Sequence, residues 1–196
     1  MRRKLLLAGT VAPVVSLLIF HLDMITRPGY DALYHGPSLL MLGGRGWLQI
    51  ANFVVTGAVM LACGLADRRR LMAVYGLAMI CTGVFVTDPQ LGYPPGTPLD
   101  LLPGVNAPST WHGTLHWISV FFLYGAAVAA CLVSRSRLLI AFGVAMPVVL
   151  LLGTLVFQER GITSEVYAVL DGVCGRLIIP LGWLWASIAN HRAARA

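Results

Sequence analysis

The sequence predicts an all-α integral membrane bundle of six transmembrane helices, a single domain over residues 1–196 with both termini in the cytoplasm. Three observations carry that prediction. Hydrophobic residues make up 58% of the chain and charged residues only 11%, too little charge to cover a soluble domain of this length. Apolar runs close to the roughly 20 residues that cross a ~30 Å hydrocarbon core recur along the chain. Ten of the 14 Lys and Arg lie at the N-terminus, between alternate runs and after the last run, the asymmetry expected of cytoplasmic segments.

The first run, Leu5 to about Ile25, follows Arg2, Arg3 and Lys4. Its end, His21-Leu22-Asp23, lacks the small-residue pattern of a signal-peptide cleavage site, so it reads as a span. In the loop from Thr26 to Gly46, the charged or titratable Arg27, Asp31, His35 and Arg45 are expected on a mobile polar segment. Spans two and three, Trp47–Ala66 and Leu71–Val86, are joined by Arg68-Arg69-Arg70 and should form a tight antiparallel pair. Gly57 and Gly64, like Gly76 and Gly83, are seven residues apart, so each pair makes a small-residue stripe that lets two backbones approach closely. A Pro- and Gly-rich loop runs from Thr87 to Thr110. Spans four and five, Trp111–Val133 and Leu138–Phe157, join through Arg135 and Arg137, and span six covers Val166–Ile188. Pro13, Pro147 and Pro180 lie within spans and predict local kinks. Cys63, Cys81, Cys131 and Cys174 stand singly in apolar runs, without zinc or disulfide spacing, and read as packed thiols.

The formal charge of +6 does not point to nucleic acid, because the basic residues cluster as topology signals. The expected partners are membrane lipids and a hydrophobic or lipid-linked substrate, and the expected location is the bacterial inner membrane. Both long loops then face outward, with seven of the eight acidic residues on that side.

Ionisable side chains within a bilayer cost about 2.5–3.5 kcal/mol each on insertion scales, so they are candidate functional residues. His21 and Asp23 close span one, Asp88 follows span three, His112 and His116 open span four, and Asp171 and Arg176 lie in the outer half of span six. Residues four apart on a helix share a face. His112 and His116 are therefore expected to point inward and, with His21 or Asp88, form a candidate zinc site with an open position for water. Asp88 and Asp171 are candidate general acids. Arg176 is a candidate substrate-binding or catalytic group, expected to pair with Asp23, Asp88 or Glu159 from another helix.

The blocks Arg27-Pro-Gly-Tyr-Asp31, Ser38, Gly43-Gly-Arg-Gly-Trp47 with Asn52-Phe53, Thr87-Asp88-Pro89 and His112-Gly-Thr-Leu-His116 resemble a bacterial six-span family catalogued as domain of unknown function 998. The resemblance runs from span one through span six and implies the six-helix fold without implying an activity. Two positions depart from that pattern: Leu39 and Gly175 stand where acidic residues are expected. A Ser, an Asp and a His-x-x-x-His pair also make the site similar to membrane hydrolases of the alkaline ceramidase type.

Four functions remain open at this level. A zinc hydrolase would use metal-bound water against a lipid-linked ester or amide. A non-metal enzyme, such as a prenyl-chain cyclase, would use Asp88 or Asp171 as general acid. The same groups could serve a proton-coupled transporter, or fix the packing of a structural or accessory membrane protein.

Overall fold

The computed structural model describes residues 2–160 and 164–195, with side chains described except at 150, 153, 154, 156–160, 164–171, 173 and 174. Six α-helices make up the architecture: α1 Arg2–Thr26, α2 Gly46–Ala66, α3 Arg70–Val84, α4 Trp111–Leu132, α5 Arg137–Arg160 and α6 Ser164–Arg195. A short 3-10 helix, Pro37–Met41, lies between α1 and α2. The described residues contain no strand. Each expected apolar run falls on one of these helices, with α3 ending at Val84 rather than Val86 and α6 continuing past Ile188 to Arg195.

Periodicity explains which face each helix buries. On α1 the buried positions Leu6, Gly9, Pro13, Ser16, Phe20 and Asp23 alternate by three and four residues, one stripe of a 3.6-residue helix. The opposite side exposes Leu7, Val11, Val14, Val15, Leu18, Leu22 and Ile25. On α4, Trp117, Ile118, Phe121 and Phe122 are likewise exposed. An apolar surface of that extent is an association liability in water, whereas toward hydrocarbon it is the low-energy arrangement. Among the described residues α1, α2 and α4 are long and apolar enough to cross a membrane, and α3 and residues 137–149 of α5 are shorter apolar stretches. The fold is that of a helical membrane bundle.

Each helix packs on its successor, and α6 returns to α1, so the helices close into a ring. Neighbours run antiparallel: Arg2 at the start of α1 reaches Asp67 at the end of α2, while Asp23 meets Gln49. The α2–α3 contact is the closest. A Cβ on Gly57 would fall 2.7 Å from Gly76 O, and one on Gly76 would fall 2.2 Å from Leu61 N. The expected glycine stripes thus set the separation of these helices. Side chains of α6 fill the middle of the ring, with Trp183 edge-on to Phe20 and Phe53, and Trp185 edge-on to Tyr75. Cys63 and Cys131 are buried and unbridged as expected; the side chain of Cys174 lies outside the described residues.

The segment between α1 and α2 differs from the mobile polar loop expected of it. Leu39, Leu40 and Met41 are 1%, 0% and 3% exposed, and Arg27 and His35 are buried with them. The apolar run of the 3-10 helix pulls the segment into the loop-rich end of the bundle. Non-helical backbone is tolerated at such depth only when surrounded by protein. Here Tyr30 Oη donates to the carbonyls of His35 and Gly36 at 2.9 and 3.1 Å, and Arg27 donates to the carbonyls of Leu40, Leu42 and Arg45.

Candidate functional site

The inward segment delivers Ser38 to His116. Ser38 Oγ lies 3.0 Å from His116 Nε2. His116 is 0% exposed on the inner face of α4. Its Nδ1 lies 2.8 Å from Phe85 O and 3.2 Å from Thr82 O at the end of α3. Carbonyl oxygens only accept, so Nδ1 carries the ring proton and the lone pair is left on Nε2. Ser38 therefore donates its hydroxyl proton toward a bare imidazole nitrogen whose tautomer is fixed from behind. That is the relation between a nucleophile and its general base. Ser38 itself is only half-buried.

Two polar assemblies hold this geometry. In the first, the Asp23 carboxylate, 0% exposed, accepts from Arg27 Nη2 at 2.5 Å and Nε at 3.2 Å, Arg45 Nη2 at 2.7 Å and Gln49 Nε2 at 2.9 Å. Gln49 Oε1 then accepts from Asn52 Nδ2, and Asn52 Oδ1 accepts from Ser16 Oγ at 2.7 Å. A thread of buried hydrogen bonds thus runs between α1 and α2. In the second, Asp88 accepts from Thr110 N at 3.0 Å and from Thr110 Oγ1 at 2.5 Å, while Thr110 Oγ1 accepts from Gly113 N as the N-cap of α4. A carboxylate at a helix N-terminus is stabilised by the helix dipole. A Cβ at 113 would sit 2.1 Å from Asp88 Oδ2, so glycine there lets the acid lie against the helix. The assembly fixes the first turn of α4 and hence His116.

The expected zinc donors do not converge. His112 is exposed and stacked on Trp111 with ring centroids 3.5 Å apart, because the inner face of α4 runs through Gly113, His116 and Ser119. His112 stands about 40° off His116 and one turn nearer the rim, where the buried Asp88, tied to Thr110, occupies the interior. His21 is exposed on α1, with Nδ1 2.7 Å from Leu17 O. Among the described residues no three His, Cys, Asp or Glu side chains gather as a metal set, and both nitrogens of His116 already have partners. His21, His112 and His116 as placed therefore do not fit a shared zinc ion. Asp88 has both oxygens engaged by Thr110, and the side chain of Asp171 lies outside the described residues.

Arg176 reaches the inward segment, where its Nη2 donates to His35 O at 2.7 Å. It meets no carboxylate among the described residues: Asp23 is taken by Arg27 and Arg45, and Asp88 by Thr110. The Glu159 side chain lies outside the described residues. Gly175 packs on Pro37, whose ring a Cβ would approach to 2.6 Å. The glycine that replaces an expected acid is thus the one that lets α6 press on the Ser38 segment. Leu39, the other departure, is buried.

His35 and Ser38 are the residues that sequence reasoning underweighted. His35 Nδ1 accepts from Asp31 N at 2.9 Å, so its Nε2 carries the proton and donates to Leu91 O at 3.0 Å, tying the two long loops together. Tyr30, Tyr34 and Tyr93 surround its ring at 5.4 Å between centroids. Burial, aided by the charge of Arg176, pushes the His35 pKa below the usual histidine range, against the Leu91 bond and Asp31. The signal that could have found both is Pro37-Ser-Leu-Leu-Met-Leu42, an apolar run that a solvated loop would not carry.

Residues 10–191 match the family model described as protein of unknown function (DUF998), and the chain belongs to that family. No curated protein and no solved structure matches it.

Proposed function

We propose that this member of the DUF998 family is a membrane-embedded serine hydrolase or acyl-transfer enzyme, acting on an ester or amide of a lipid-linked substrate at the outer face of the bacterial inner membrane. The reading rests on the 3.0 Å contact between Ser38 Oγ and His116 Nε2. Phe85 O behind Nδ1 does the positioning that a carboxylate does in other triads. Ser38 Oγ attacks the substrate carbonyl as its proton passes to Nε2. The leaving oxygen or nitrogen departs with that proton. Water or an acceptor alcohol, deprotonated by the same Nε2, then releases the acyl group from Ser38. A carbonyl supplies no negative charge to the imidazolium formed on the way. Asp88, whose carboxylate caps the first turn of the same helix, offsets part of that charge.

The outward assignment follows the positive-inside rule: Arg68–Arg70, Arg135, Arg137, Arg192 and Arg195 mark the cytoplasmic end and both termini lie there. Asp88 is less suited to the general-acid role of a prenyl-chain cyclase, because Thr110 engages both of its oxygens.

An alkyl fluorophosphonate tests the reading on purified protein in detergent. Mass spectrometry should find the adduct on Ser38 and none in Ser38→Ala. His116→Gln should label about 100-fold more slowly, within the span expected of a lost general base. If His116→Gln melts like wild type and labels at the same rate, the Ser38–His116 bond is a structural tie and the enzyme reading fails.

A further inference from the structure

We propose that the guanidinium of Arg176 receives a phosphate group carried by the lipid-linked substrate. The substrate role rests on the Ser38–His116 reading; the anion site does not. Arg176 Nε and Nη1 are buried and have no hydrogen-bond partner among the described residues. Only Nη2 is used, on His35 O. Buried polar groups are almost always satisfied, and an orphaned one marks a ligand, ion or water that belongs there. Here the orphans carry a full positive charge that no described carboxylate offsets. An anion with several acceptor oxygens answers both deficits, and a guanidinium matches phosphate in a forked, two-bond geometry.

Position selects a substrate group over a stray ion. The carbonyl that holds Nη2 belongs to His35, three residues before Ser38, so the two lie within roughly 10 Å along the chain. A single acyl phospholipid spans such a separation between its phosphate and its ester carbonyls. Gly172 lets the guanidinium lie against α6, since a Cβ there would fall 2.7 Å from Arg176 Nη1. One binding event would neutralise the guanidinium and bring an acyl carbonyl to the hydroxyl of Ser38, whose own exposure is partial.

The test uses the full-length Ser38→Ala protein in a neutral maltoside detergent, so that binding is read without turnover. Dihexanoyl phosphatidic acid, dihexanoylglycerol and inorganic phosphate are titrated separately, with tryptophan fluorescence and melting temperature as readouts. The phosphatidic acid should bind at least tenfold more tightly than either other probe. Arg176→Gln in the same background should weaken it at least tenfold. Arg176→Lys, which keeps charge and one donor to His35 O, should fold and weaken it three- to tenfold, so the test survives if the Gln variant does not fold. Equal binding of the glycerol and phosphatidic acid probes overturns the proposal, as does unchanged affinity in Arg176→Lys. Equal affinity for inorganic phosphate reassigns the site to the free ion and overturns the lipid substrate. Arg176-dependent binding without fluorophosphonate labelling of wild type would sink the dyad and leave the anion site standing. Labelling without such binding would do the reverse.

Discussion

Asp23→Asn removes the charge that two arginines share while nearly preserving shape. The side-chain exposures separate the two partners: Arg27 is 3% exposed and Arg45 41%, against 0% for Asp23. Breaking a buried ion pair by neutralising one member costs about 3–5 kcal/mol. Arg27 keeps three carbonyl acceptors, at 2.8, 3.1 and 3.2 Å, which argues for the lower end, about 3 kcal/mol. The solvated Arg45 adds at most about 1 kcal/mol. At about 2–4 °C per kcal/mol for a chain of this length, the melting temperature should fall by roughly 6–16 °C. The buried thiols of Cys63 and Cys131 supply the assay, since a thiol-reactive fluorophore reads their exposure on heating in detergent. Arg45→Gln should lower the midpoint by less than half as much. Adding Arg27→Met to Asp23→Asn should cost little more, because the uncompensated charge goes with it. If Asp23→Asn melts within about 2 °C of wild type, or Arg45→Gln is equally costly, the buried pair does not hold the inward segment in the way argued.

His35 should make stability depend on pH. Its folded pKa is depressed by burial, so as pH falls through about 6.5 the unfolded chain takes up a proton that the native state refuses. Stability is then lost at up to about 1.4 kcal/mol per pH unit, until the folded pKa is passed. Melting of wild type and His35→Gln at pH 7.5 and 5.5 should show a steeper acid loss in wild type; parallel losses would reject the assignment. Gly76→Val should push α2 and α3 apart and cost on the order of 1–3 kcal/mol, whereas Gly44→Ala, with nothing within 4 Å of its Cβ, should melt like wild type. Reporter fusions at Arg69 and Ala196 should signal cytoplasm and one near Pro95 the exterior; an exterior signal at Ala196 would overturn the topology.

The helices were legible because each is a run of apolar residues bounded by arginines, glycine or proline, and lipid tolerates few other patterns. The α2–α3 contact was equally plain, since Gly57, Gly64, Gly76 and Gly83 give spacing and residue type together. The site was legible only in its parts. His116 stands out in sequence by its four-residue spacing from His112, and that spacing predicts a shared ligand. A helical periodicity cannot say that the buried Asp88 fills the interior one turn above it. Ser38 lies in a segment whose charges predict a loop, whereas burial there is decided by Leu39, Leu40 and Met41. Arg27 and Arg176 look alike as charges in sequence. Only packing distinguishes the one saturated by Asp23 and three carbonyls from the one with donors left over.

The hydrogen-bonded thread of Ser16, Asn52, Gln49 and Asp23 bears on how the chain enters its membrane. Leaving the translocation channel alone, α2 would offer the amides of Gln49 and Asn52 to hydrocarbon, where polar groups are poorly tolerated. Beside α1 those amides meet a serine and a carboxylate already at the right depth. Such contacts average only about 0.6 kcal/mol each in membrane proteins, yet they come as a set and in one register. The two segments therefore partition best as a hairpin, with the earlier-synthesised helix acting as solvent for the later one. The order of translation supplies α1 first.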